Sequence, residues 1–389
     1  MSRETESDGG AVVDDTPGSR SEQSFFERMQ ESDTMSLAGF AAMILVFPLL
    51  LVDGLGIVGD IVGLRIGGYV GLPDLVLIFG IAVIGFNLLL GYTELLSFGH
   101  AAFFGSAAYA AALFSGVFDS PIAMVGVGTL VAIVIAWPIG FVSIRRSGVY
   151  FAVLTLTFGQ MLYFYALGPG SWLTNGDNGY SDISVGHLLM VLELDEAVVG
   201  IDLFEAYTWQ YVFVALCTLF ALWFGYRIIN SPYGLIFKAL GENEERVSFV
   251  GLDVFRYKHM AFIISAGYAG AAGALFVIHE TYIHPTTGLY WITSGDFVIM
   301  TVLGGTGSLI GPVFGALIFE YVSNVISGVS LPVIGSIGSL WRIVLGAVFV
   351  AVVWVFPQGV WGAIWDGIRW VTSLGSDSGS GSGSGGDDS

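Results

Sequence analysis

Apolar runs alternate with short polar or glycine-rich breaks along almost the whole chain. The runs lie near 37–57, 75–91, 98–115, 122–142, 149–168, 209–229, 259–280, 291–304, 310–327 and 340–357. Most are about 17 to 22 residues long, the length at which a helix rising 1.5 Å per residue crosses a bilayer core. The run at 291–304 is too short to cross upright, so a broken or half-buried helix is the alternative there. The pattern predicts an all-α polytopic transmembrane bundle of about 10 spans (8 to 10), with some helices broken or short. It divides the chain into an acidic tail at 1–36, a membrane domain at 37–370 and a Gly/Ser/Asp tail at 371–389.

Composition agrees with a membrane domain. Charged residues make up 12% of the 389, about half the share usual in soluble proteins. Fifty-five glycines would weaken a soluble fold, whereas small residues let membrane helices approach closely. Formal charge is −19, and residues 1–36 hold nine acids against three arginines. Neither tail carries enough apolar surface to offset chain entropy, so both are expected to be disordered. The acid surplus is the pattern of proteins that stay hydrated in a highly saline cytoplasm, with ordinary acidic tails as the alternative. Such acidity argues against nucleic acid as a partner. The single cysteine, Cys217, excludes an intrachain disulfide, and the first 36 residues are too polar for a signal peptide.

The thirteen basic residues set an orientation. Arg145 and Arg146 flank the fourth run, and Arg227, Lys238, Arg246, Arg256 and Lys258 cluster after the sixth. The stretch 169–207 has no Lys or Arg, which places it outside and the other two regions in the cytoplasm. Counting back puts the N-terminus inside, in a multi-pass protein of the cell (plasma) membrane; Arg65 and Arg342 fall on the outer side.

The segment 231–258, SPYGLIFKALGENEERVSFVGLDVFRYK, is the most informative polar stretch. Pro232 suits a helix start and Gly251 a helix stop. Phe237, Leu240, Val247 and Val250 are expected to form one apolar stripe with Glu242, Glu244, Glu245 and Arg246 around it, interrupted at Gly241. A short amphipathic helix on the inner face follows. Its acidic polar face is repelled by anionic headgroups, so a groove on a soluble partner suits it better than lipid. A solvated loop helix is the plain alternative.

Chemistry is sparse. No catalytic set, no metal-ligand spacing among His100, His187, His259, His279 and His284, and no GxxxxGK[ST] loop is present. Any ATP that drives this chain must therefore be used by another subunit. Glu94, His100, Glu280 and Glu320 fall near span ends, where water and headgroups are expected to solvate them. Two glycine-rich breaks, about 210 residues apart, each lead into a small-residue helix. Gly91, Ser97 and Gly99 mark the first; Gly304, Gly305, Gly307, Ser308 and Gly311 mark the second. Free backbone groups at interrupted helices can bind a substrate carboxylate, which makes these eight residues candidates for a solute path; close helix packing accounts for them equally.

The stretch SPYGLIFKALGENEERVSFVGLDVFRYKHMAFIISAGYAGAAGAL resembles the cytoplasmic loop and following helix of the LivM-type permease subunits of ABC importers for branched-chain amino acids. VLGGTGSLIGPVFGAL, GYTELLSFGHAAFFGSAAYAAAL and WRIVLGAVFVAVVWVFPQG are similar to further segments of that family, in the right order from about 75 to 365. Gly241 departs from a commonly basic position, and Gln358 from a frequent arginine.

The resemblance implies a permease that does no covalent chemistry and binds no cofactor itself. ATP and Mg²⁺ would be bound by two ABC ATPase subunits, a second LivH-like permease would complete the path, and an extracellular solute-binding protein would deliver the solute. Residues 238–251 would be the helix seated in the ATPase, with Lys238, Ala239, Glu242, Asn243, Glu244, Glu245, Arg246 and Gly251 as its site residues and Arg256 and Lys258 as an inner-face anchor. Urea or short-amide transport within the same family, and an ion-driven secondary transporter outside it, are the alternatives.

Overall fold

The computed structural model describes residues 33–54, 70–117, 120–186, 194, 207–328, 330–331, 335–336, 341–356 and 359–363. The helices are α1 (Asp33–Pro48), α2 (Leu72–Thr93), α3 (His100–Ser115), α4 (Pro121–Ser143), α5 (Val149–Leu167), α6 (Ser171–Thr174), α7 (Trp209–Ile229), α8 (Pro232–Glu242), α9 (Glu244–Phe249), α10 (Val254–Glu280), α11 (Pro285–Gly288), α12 (Trp291–Gly304), α13 (Gly311–Gly328) and α14 (Trp341–Val355). Among the described residues α2, α4, α5, α7 and α10 are long and apolar enough to cross a membrane, and α14 is a shorter apolar helix.

Among the described residues the regular structure is helical apart from an isolated bridge between Tyr180 and Ile283 and a small antiparallel pair that the apolar pattern did not predict. Strands β1 (Ser330–Leu331) and β2 (Gly335–Ser336) join between α13 and α14, with Ser330 opposite Ser336. Two residues per strand are too few for a period-2 signal to be visible in sequence. A second correction concerns the N-terminal tail: residues 33–36 belong to α1, so its helix begins inside the stretch assigned to the tail. Residues 1–32 and the tail at 371–389 lie outside the described residues. After Pro48, which cannot donate to the helical ladder, the chain continues as a π-helical turn, Leu49–Gly54.

The bundle is built around α2 and α10. Most of each is buried, whereas α4 and α5 leave most of their surface open, with Leu130, Val134, Trp137, Met161 and Phe164 exposed for lipid. Helix α10 packs on α2, α3 and α4, and its small residues make that approach feasible. A Cβ on Gly273 would stand 2.0 Å from the Phe104 carbonyl oxygen, and one on Gly85 of α2 would stand 2.1 Å from Tyr268 Cβ. Phe104 then fills the space beside them, its ring centroid 5.9 Å from Phe79, 5.4 Å from Phe276 and 5.6 Å from Phe297. Van der Waals packing of this kind is what holds helices together in lipid, where apolar burial itself gains little.

Candidate functional site: the polar segment and the glycine breaks

The polar segment 231–258 folds as two helices rather than one. Ser231 and Pro232 open α8, and the chain turns sharply enough that a Cβ on Gly234 would lie 2.0 Å from the Ile229 oxygen. The predicted interruption at Gly241 does not occur, because α8 runs through it to Glu242. Glycine is there for another reason: a Cβ would stand 2.9 Å from the Tyr92 oxygen at the end of α2. The break comes at Asn243, whose extended backbone ends α8 and whose side chain accepts a hydrogen bond from the Arg246 N–H at 3.0 Å, restarting the chain as α9.

Helix α9 ends at Gly251. With φ of +85° this glycine adopts the left-handed conformation. Its N–H donates to Ser248 O and the Leu252 N–H to Val247 O, the paired bonds of a Schellman ending. Asp253 then caps α10 by accepting from the Arg256 N–H, and its carboxylate pairs with the Arg256 side chain at 2.9 Å.

Phe237, Leu240 and Val247 are buried, as the stripe required, but Val250 is not. It sits at the C-cap of α9, past the break at Asn243, and is 79% exposed beside Phe249 at 88%. The segment therefore buries one side against α2, α7 and α10 and presents Glu242, Glu245, Arg246, Phe249 and Val250 outward. Lys238 is exposed, with its ammonium 5.7 Å from the Tyr92 ring centroid, and Ala239 is half-buried.

The Glu244 carboxylate pairs with Lys258 while its side chain stays 44% exposed, and Lys258 is 3% exposed rather than spread at a lipid surface as an inner-face anchor. Arg256 is exposed and pairs only with its neighbour on the same turn among the described residues.

The second glycine break meets the last turns of α2, just before the first break, although more than two hundred residues separate them. Asn87 Nδ2 donates to Ser308 O at 2.9 Å, and a Cβ on Gly91 would lie 2.6 Å from Thr306 O. Gly91 itself lies within α2, not in the break. The break proper spans Glu94, with φ of +53°, to Gly99. Ser97 and Gly99 are buried, and a Cβ on Gly99 would lie 2.6 Å from Thr155 O of α5. In the second break Gly304 and Gly311 allow α12 and α13 to fold back: a Cβ on Gly304 would lie 2.0 Å from Gly311 O. Gly305 has φ of +104°, and Gly307 has open space.

Four backbone donors at or beside these breaks are taken by side-chain hydroxyls. Phe98 N–H donates to Thr155 Oγ1, Gly99 N–H to Ser97 Oγ, Ala101 N–H to Ser294 Oγ and Gly311 N–H to Ser308 Oγ. His100 also departs from expectation. It is fully buried, its Nε2 2.8 Å from Ser265 Oγ and its ring enclosed by Phe86, Phe103 and Phe262, so no headgroup or water solvates it. Glu94 is exposed, and the Glu280 side chain is 41% exposed, as span ends allow.

Sequence reasoning missed Asn87, Asp74 and His279. Asn87 is fully buried, and its one visible signal is a lone amide four residues before Gly91 in an apolar run. Asp74 is buried with its Oδ2 4.0 Å from His279 Nδ1, which stands 2.9 Å from Gln210 Nε2. Among the described residues, no group of three or more His, Cys, Asp or Glu side chains could hold a metal ion.

The order of these segments along one all-helical bundle matches a known family. Residues 69–353 match the family described as “Branched-chain amino acid transport system / permease component”. The chain belongs to that family. Within it the permease is of the LivM type. It is 27% identical over 308 residues to the high-affinity branched-chain amino acid transport system permease protein LivM of Escherichia coli K12, covering 75% of this chain and 70% of that one. It is 26% identical over 274 residues to a probable LivM of Methanocaldococcus jannaschii, covering 66% and 73%. It is also similar to the LivH permease of Salmonella typhimurium, 25% identical over 296 residues, covering 73% and 91%. No solved structure matches the permease.

Proposed function

We propose that this permease, together with a LivH-like sister chain, forms the membrane path of an ATP-driven importer of branched-chain amino acids. An extracellular binding protein delivers the solute, and two cytoplasmic ATPases hold the ATP and Mg²⁺. The chain crosses the plasma membrane about ten times, with the N-terminus and the α8–α9 element in the cytoplasm. The shorter helices α1, α3, α12, α13 and α14 supply the passes beyond the five long ones. The first glycine break begins beside α8, where a Cβ on Gly241 would lie 3.4 Å from Glu94 Cγ, and both breaks line the solute path.

One observation carries the reading. The α8–α9 element is seated on the bundle by Phe237, Leu240 and Val247, yet exposes Phe249 and Val250 on the same short helical segment as the exposed Glu245 and Arg246. An exposed aromatic anchor accompanied by charged groups is the composition of an interface centre with a polar rim. The LivM and LivH relatives are named for branched-chain amino acid transport, which supports the solute class. No residue favours urea or short amides over it.

The test is affinity capture of the tagged permease from native membranes. Phe249→Asp is expected to lower the retained ATPase by about tenfold or more, since anchor residues contribute about 2 kcal/mol or above. The sister permease and the helical circular dichroism signal stay unchanged. Full retention of the ATPases by that variant would remove α9 from the docking role.

A further inference from the structure

Lys258 is the one fully buried ammonium among the described residues, and it lies in the second turn of α10, the helix at the centre of the bundle. Its ion-pair partner among the described residues is Glu244, the first residue of α9. Helix α9 has six residues and is joined to α8 through the single non-helical residue Asn243. Its other joint runs from Val250 to the Asp253 cap, through the left-handed Gly251. So short a helix has no stability of its own, and both of its joints are turns. Apart from Val247, the contact that fixes its start against α10 is the carboxylate on the buried ammonium.

Glu244 is 44% exposed, but removing its carboxylate leaves the buried Lys258 ammonium without that partner, which costs more than an exposed pair contributes. The chain therefore has reason to keep Glu244 on Lys258 as α9 moves. Helix α10 packs on α2, α3 and α4 over its length, so a tilt imposed at Lys258 is passed to the three helices around it.

We infer that the Glu244–Lys258 pair is a strut between the docking element and α10, converting displacement of α9 into displacement of the bundle core. Glu244 and Lys258 are positioning residues: they act through α10 and touch neither solute nor nucleotide. The inference rests on the reading of α8–α9 as the ATPase-docking element, and it removes Glu244 from the set of groups that contact the ATPase.

The experiment uses the whole complex purified from native membranes into liposomes, with radiolabelled leucine uptake and phosphate release measured together. Glu244→Gln is expected to keep the ATPases bound and hydrolysing while leucine taken up per ATP falls about fivefold or more, the usual size of a lost coupling between sites. Lys258→Met behaves alike. The exchange Glu244→Lys with Lys258→Glu restores the ratio, and Arg146→Gln, at an exposed position outside α8–α9, leaves it unchanged.

A second readout needs no solute. With Cys217→Ser and a spin label on Glu280→Cys at the far end of α10, ATP shifts the spectrum in the parent chain and fails to do so once Glu244→Gln is added. A normal leucine-to-ATP ratio and a normal ATP-driven spectral shift in Glu244→Gln would overturn the strut. So would loss of the ATPases from that variant, because Glu244 would then be a direct contact. Retention of the ATPases by Phe249→Asp would instead overturn the docking reading itself.

Discussion

Gly91, in the last turns of α2, and Gly307, in the second glycine break, are assigned opposite tolerance by the geometry. In α2, a methyl on Gly91 meets the Thr306 backbone oxygen at 2.6 Å and the Asn87 amide oxygen at 2.3 Å. The Thr306 carbonyl must withdraw by about 0.4 Å to reach even 3.0 Å. Asn87 is buried and donates to Ser308 O, so turning its amide away loosens the contact that joins α2 to the second break. Overpacking of this kind costs about 1–3 kcal/mol, and a weakened interhelical hydrogen bond in a membrane adds about 0.6 kcal/mol. Alanine regains about 1 kcal/mol of helix propensity over glycine. Gly91→Ala is therefore expected to destabilise the permease by about 1–2 kcal/mol, roughly tenfold in the unfolding constant. A methyl on Gly307 has nothing within 4 Å, so Gly307→Ala is expected to stay within about 0.5 kcal/mol of the parent. Denaturant titration in detergent micelles, followed by circular dichroism, measures both. A Gly91→Ala chain no less stable than Gly307→Ala would refute the claim that close approach of α2 to the second break is what requires glycine at 91.

Other substitutions probe the polar segment and the helices. Asn243→Ala removes the cap of α9 and is expected to cost about 1 kcal/mol there, seen as faster amide hydrogen exchange at Arg246, the N–H it accepts from. Gly251→Ala forces a side chain into φ of +85°; the expected cost of about 1–2 kcal/mol shows as faster proteolytic cleavage between α9 and α10. Gly126 and Gly295 lie inside α4 and α12 with open space beyond their Cα atoms. Alanine at either is expected to stabilise by about 0.5–1 kcal/mol, measured by the same titration.

Apolar run length was the most legible signal because hydrocarbon thickness sets it directly. The runs 209–229 and 291–304 coincide with α7 and α12, and 149–168 differs from α5 by one residue. Run edges drift where polar residues join a helix: α10 begins at Val254, not near 259, because Asp253 caps a first turn that reads as loop. Within the polar segment the Pro232 start and the Gly251 stop depend on local backbone chemistry and could be placed from residue type alone. The break could not, because both Gly241 and Asn243 are break signals, and only the approach of Tyr92 O explains why Gly241 is a packing residue instead. Pairings across the fold left no trace in the pattern. Glu244 and Lys258 are 14 residues apart around two turns, and Asn87 and Ser308 are 221 apart. Val250 failed as a stripe position because a helical period carries through a run only if the run stays one helix.

The central claim is that this permease moves solute only when partner ATPases act on it through α8–α9. Leucine uptake into liposomes, measured with the purified chain alone and with the complete complex, with and without ATP, tests it most directly. Uptake is expected from the complex with ATP and from the isolated chain under no condition. Concentrative uptake by the chain alone, driven by an ion gradient without ATP, would contradict it.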